Sequence, residues 1–92
     1  LPNLLVLRPA DSIETAECWQ IALDAKCRPS VLALTRDAVA KVRTKENAGK
    51  NLSASGAYVA SPAKGKRDVT LIATGSEVGL ALDAQAALEK DG

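Results

Sequence analysis

The sequence predicts an α/β fold made of parallel-sheet pieces: a βαβ unit and a (β)βα unit joined by an irregular basic linker. Three observations lead there. Short apolar runs at residues 4–7, 31–34 and 68–73 have the length and continuity of strands buried on both faces. Two longer stretches carry helical spacing after helix-start signals. Between the two groups lies a stretch with no period, rich in Asn, Gly and Ser. Neither unit has enough strands to cover both of its faces, so the chain reads as pieces of two three-layer domains.

Leu4-Leu5-Val6-Leu7 is the first strand, ended by Arg8-Pro9. Asp11 opens a helix, and Glu14 three residues later completes a capping-box spacing. Ile13, Ala16, Trp19, Ala22 and Leu23 share one helical face, which is expected to pack on the sheet, while Glu17 and Asp24 lie on the exposed side. The helix should end near Lys26, with Arg28-Pro29 turning the chain into the strand at 31–34. Strand, helix, strand with short turns is a βαβ unit, whose crossover should be right-handed. Ala57-Tyr58-Val59-Ala60 reads as a short edge strand, and residues 68–73 as a third major strand. Thr74-Gly75-Ser76-Glu77 then turns directly into a second helix over residues 77–90, with Val78, Ala81, Leu82 and Leu88 on its buried face. Gly79, in the first turn, costs that helix up to ~1 kcal/mol relative to alanine unless close packing requires it.

Ninety-two residues with no Phe, no Met, one Trp and one Tyr must build a core from Leu, Val, Ile and Ala. A chain of this size buries only ~60–65% of its unfolded surface, so stability is marginal. The net charge of +1 argues against a general nucleic-acid or membrane role. Residues 41–67 nevertheless hold seven basic side chains (Lys41, Arg43, Lys45, Lys50, Lys64, Lys66, Arg67) against one acid, Glu46. With Tyr58 as their one aromatic neighbour, these read as a solvated connecting segment rather than a base-stacking surface. Cys18 and Cys27 stand nine apart with no histidine anywhere, which fits no zinc or redox motif; Cys18 reads as a small core residue. No run is long enough to span a bilayer and none resembles a signal peptide, so a reducing, cytoplasmic setting is expected. Both ends read as interior positions: Leu1 stands directly ahead of a strand, and Lys90-Asp91-Gly92 is a helix-ending signal where a strand would follow.

Two loci could carry chemistry. Arg36 sits just past the carboxyl end of the strand at 31–34, the rim where open parallel sheets collect ligands. Its guanidinium suits a phosphate, because its fork can donate two parallel hydrogen bonds. The spacing alone favours a surface arginine closing a strand. The second locus is Thr74-Gly75-Ser76, where amides at a helix start could meet an anion. It has no dinucleotide or P-loop glycine pattern, and Ser76 has no histidine to activate it, so it reads as a helix cap. No paired carboxylates or metal cluster are in view.

The wording of the chain is more specific than its spacing. Leu1-Pro2-Asn3, Arg8-Pro9-Ala10-Asp11, Glu14-Thr15-Ala16, Trp19 and Ala22 closely resemble transketolase near the end of its middle, pyrimidine-binding domain. Pro29-Ser30-Val31-Leu32-Ala33-Leu34-Thr35-Arg36 resembles that domain's last strand, which usually ends Leu-Ser-Arg-Gln. Gly56-Ala57-Tyr58-Val59 and Val69-Thr70-Leu71-Ile72-Ala73-Thr74-Gly75-Ser76-Glu77-Val78 are similar to the entry and first strand–helix turn of the C-terminal domain. The resemblance divides the chain into residues 1–38 (middle domain), 39–56 (interdomain linker) and 57–92 (C-terminal domain).

Transketolases move a two-carbon ketol unit between sugar phosphates in the pentose phosphate pathway. They are homodimers that use thiamine diphosphate held through a divalent metal, Mg or Ca. The resemblance implies that Arg36 binds the substrate's terminal phosphate. It also implies that the cofactor, metal and catalytic groups are supplied outside residues 1–92, by the rest of the transketolase chain, so that this stretch is inactive alone. Thr35 stands where Ser is usual and keeps the hydroxyl, whereas Asp37-Ala38 replace Gln-Asn and place an acid beside Arg36. Gly79 stands where Ser is common. The alternative reading is a free-standing small α/β module for binding or structure, without catalysis.

Overall fold

The computed structural model describes residues 2–43 and 49–92; Leu1 and the linker residues Lys45, Glu46 and Asn47 lie outside them. The element order begins with strand β1 (Leu5–Leu7), helix α1 (Ser12–Asp24) and strand β2 (Ser30–Leu32). Two 3₁₀ turns follow, at Leu52–Ser55 and Gly75–Glu77, and helix α2 (Val78–Lys90) completes the chain. β1 and β2 pair in parallel, with Leu5 opposite Ser30, Val6 opposite Val31 and Leu7 opposite Leu32. The fold is therefore mixed α/β, with the βαβ unit in the expected order.

Local chemistry sets each boundary. The ladder runs from Leu5 N–H donating to Pro29 C=O (3.0 Å) to Ala33 N–H donating to Leu7 C=O (2.9 Å). The next donor from β1 would be Pro9, which has no N–H, so pairing stops there. At the start of α1, Asp11 Oδ1 accepts from Glu14 N–H (2.8 Å) and Glu14 Oε1 accepts from Ala10 N–H (3.1 Å), the reciprocal capping read from the sequence. The helix closes at Asp24, two residues short of Lys26, with Ala25 N–H bonded back to Ile21 C=O at 3.1 Å.

Several expectations change. Residues 68–73 join no ladder, and Ile72 is 91% exposed. A strand exists through its partner, and among the described residues the backbone bond tying this region to the chain leaving β1 is Gly75 N–H to Arg8 C=O at 3.1 Å. Residues 57–60 likewise form no strand. The expected buried face of α1 is largely open, with Trp19 52% and Leu23 68% exposed. Geometry explains it: two three-residue strands make a patch ~10 Å long, and a thirteen-residue helix runs ~20 Å. Glu17, expected on the exposed side, is buried beside Cys18. Gly79 lies against Ala40, where an added Cβ would meet the alanine methyl at 3.6 Å, an ordinary contact; packing does not require a glycine there.

The buried centre is small and largely polar. Ala10, Cys18 and Val42 lie beside Asp11, Glu17 and Arg43, the last only 1% exposed. Arg43 is thus no part of a solvated linker. It donates to Glu17 Oε1 at 2.6 Å and to Lys50 C=O at 3.0 Å, and its guanidinium lies 5.4 Å from the Tyr58 ring centre. The Ser53 hydroxyl donates to the same Glu17 oxygen (2.8 Å), and Tyr58 donates its hydroxyl to Glu14. α1 is therefore the post to which both ends of the described linker are tied.

Candidate functional site

The site is built where β1 and β2 end. Chain leaving β1 passes through Arg8 and Pro9, and chain leaving β2 turns through Leu34, Thr35, Arg36 and Asp37. Thr35 Oγ1 accepts from Asp37 N–H at 3.1 Å, a local bond that folds the turn and places Arg36 at its apex. The Thr35 hydroxyl is thus the group the turn uses. Arg36 is exposed and makes no hydrogen bond or ion pair with a described residue. A free guanidinium at a strand's carboxyl rim is available to an anion from solvent.

The turn that carries Arg36 and the Thr74-Gly75-Ser76 locus share a cleft through Thr35. A cleft of about 220 Å³ is lined by Thr35, by Gly75 and Ser76, and by Arg8 between them. A second cleft of similar volume lies on the other side of the same turn, lined in part by Asp11, Thr35 and Asp37. Arg36 itself lines neither; Thr35 and Asp37 do. Ser76 departs from the expected cap: its hydroxyl donates to Glu77 Oε2 at 3.2 Å, and Thr74, at the cap position of the 3₁₀ turn, makes no side-chain cap bond. Gly75 holds φ +60°, a conformation that favours glycine.

Arg8 is the residue that sequence reasoning passed over. It was legible by the rule that selected Arg36, since it too follows a strand at the same rim, but Pro9 gave it a simpler reading as a strand end. Glu17 and Arg43 carried no such signal, being separated by a stretch with no periodic pattern.

Electrostatics at the foot of the site are set by Asp11. Burial pushes its carboxyl up, yet amides of Glu14, Arg43, Val42 and Ile13 outweigh this and hold it below its ordinary value. Burial opposes ionisation of Glu17 as well, and the Arg43 guanidinium with two Ser53 hydrogen bonds lowers it overall. Tyr58 is pushed well above its ordinary value by burial and by its bond to Glu14, so it remains a donor.

Among the described residues no group of three or more His, Cys, Asp or Glu could hold a metal ion. The donor set of the described residues does not fit a metal-bound diphosphate. No helix among the described residues is long and apolar enough to cross a membrane.

The parallel pair crossed over by α1 defines the class, a mixed α/β fold, and in open sheets of that class ligands collect at the carboxyl ends of the strands. The comparisons narrow it. Residues 56–92 match the family described as Transketolase-like TK C-terminal domain. The transketolase of Sinorhizobium medicae is 56% identical over 90 residues, 98% of this chain and 13% of that protein. The transketolase of Rhodobacter capsulatus is 54% identical over 90 residues, again 98% and 13%. That of Geobacillus stearothermophilus is 47% identical over 93 residues, 100% and 14%. Over nearly its whole length the chain is similar to transketolases, and it spans 13–14% of the length of these relatives. No solved structure matches it.

Proposed function

We propose that this chain is part of a transketolase that transfers a two-carbon ketol unit between sugar phosphates, and that Arg36 binds the substrate's terminal phosphate. The observation that carries the reading is Arg36 itself: exposed, unpaired among the described residues, and held at the apex of the turn that ends β2. Residues 1–38 close the middle domain, 39–56 link, and 57–92 begin the C-terminal domain; the family match over residues 56–92 supports the last of these. Thiamine diphosphate and its Mg or Ca ion supply the carbon chemistry and are held by the rest of the transketolase chain. The assembled enzyme is a cytoplasmic homodimer.

Arg36 contributes binding and orientation. A fork-to-phosphate pair fixes the distal end of the sugar, and binding energy made there can be used at the reacting carbon. Asp37 beside it lowers the local positive potential and so moderates that grip.

Arg36→Ala in the full-length enzyme should raise KM for phosphorylated sugars while leaving unphosphorylated analogues nearly unchanged. A lost charge-assisted hydrogen bond costs ~1.5–3 kcal/mol, or roughly tenfold to a hundredfold in kcat/KM. Steady-state kinetics on paired substrates reads this. Equal losses on both would remove phosphate from the role of Arg36.

A further inference from the structure

We infer that Arg8 is a latch, a positioning residue that seats the start of the C-terminal unit against the end of β1 and so builds the wall of the cleft opposite Thr35. The inference does not depend on the transketolase reading. The alternating bonds of the β1–β2 ladder leave Arg8 facing the free edge of β1. Three interactions converge there. Arg8 C=O accepts from Gly75 N–H at 3.1 Å. Its guanidinium donates to Thr74 Oγ1 at 2.7 Å and to Glu77 Oε2 at 3.3 Å. An added Cβ on Gly75 would meet the Arg8 guanidinium at 3.1–3.4 Å, so the group packs closely on Gly75, which is buried and whose φ of +60° favours glycine.

The magnitudes decide which contact matters. The Arg8–Glu77 pair is about half exposed on both sides, 46% and 58%, so solvent screens it and it adds little. The bond to Thr74 and the backbone bond to Gly75 therefore hold the turn. Residues 68–73 have no ladder of their own, so this point joins the 3₁₀ turn before α2 to the parallel pair.

Amide hydrogen exchange on the ¹⁵N-labelled 92-residue chain tests the latch. Arg8→Ala should speed exchange at Gly75 at least about tenfold, with the Glu14 amide, held by Asp11, unchanged. Arg8→Lys should not restore protection, since an ammonium lacks the flat guanidinium that lies against Gly75 while donating to Thr74 Oγ1. Thr74→Val, which keeps the shape, should also speed Gly75, and should add nothing in the Arg8→Ala background. Glu77→Gln should leave Gly75 within about twofold. A Gly75 amide that exchanges freely in the unaltered chain overturns the inference. So do unchanged exchange in Arg8→Ala, equal acceleration at Glu14, and full additivity of Arg8→Ala with Thr74→Val.

Discussion

Arg43→Ala should destabilise the chain by about 3–5 kcal/mol, the range for removing one partner of a buried ion pair. Glu17 explains the size. One of its oxygens takes the Arg43 guanidinium and the Ser53 hydroxyl, and the other, Oε2, is buried with no hydrogen-bond partner among the described residues. Without Arg43 a carboxylate stays inside with two Ser53 donors to hold it. The same change removes the bond to Lys50 C=O and the cation over the Tyr58 ring. Total stability in small domains is of order 5–15 kcal/mol, so much of it should vanish. Urea unfolding followed by Trp19 fluorescence reads the midpoint. Arg43→Lys should recover only part of the loss, because a lysine cannot serve Glu17 and Lys50 C=O in one plane. A midpoint unmoved by Arg43→Ala would mean that α1 and the linker are not tied through this pair.

Asp11→Ala should cost about 2–3 kcal/mol, more than an ordinary helix cap at ~1 kcal/mol. The excess arises because Oδ2 accepts from Val42 N–H at 2.8 Å and Arg43 N–H at 2.7 Å while Oδ1 caps α1. One carboxylate thus starts the helix and fastens the linker. Acid should have the same effect. Asp11 and Glu17 both ionise more readily when folded than at their ordinary values of 3.8 and 4.5. A depressed folded value contributes stability that is complete above the ordinary value and lost as pH falls through the folded one. The chain should therefore hold its stability above about pH 4.5 and lose it progressively below, and Asp11→Ala should flatten that slope. A stability that rises on acidification, or an Asp11→Ala cost no larger than an isolated cap, would contradict this.

The βαβ unit is legible in the sequence because its signals are local. Asp11 and Glu14 announce the start of α1 within one turn, and Pro9 stops β1 by lacking a donor. Thr74-Gly75-Ser76 is likewise readable as a turn, because only glycine takes its backbone angle at low cost. The strand expected at 68–73 did not form, since apolar content shows only that a segment can pair, and pairing needs a neighbour. Trp19 was misplaced for a related reason: helical spacing gives the apolar face, and the width of the sheet decides how much of it is covered. Helical spacing puts Glu17 on the exposed side and Arg43 falls in a stretch that reads as a solvated connection; their burial follows from long-range closure of the linker on α1. At the candidate site, Arg36 was legible from its position after a strand. Arg8 follows a strand by the same rule, but its partners Thr74, Gly75 and Glu77 lie across the whole linker and give no local signal.

A crystal structure of the full-length enzyme with a pentose phosphate bound would test the role of Arg36 without an intermediate step. The phosphate should lie against the turn after β2, with two of its oxygens about 2.7–2.9 Å from the Arg36 guanidinium nitrogens. A phosphate held elsewhere, with Arg36 facing solvent in the occupied enzyme, would contradict the proposed function.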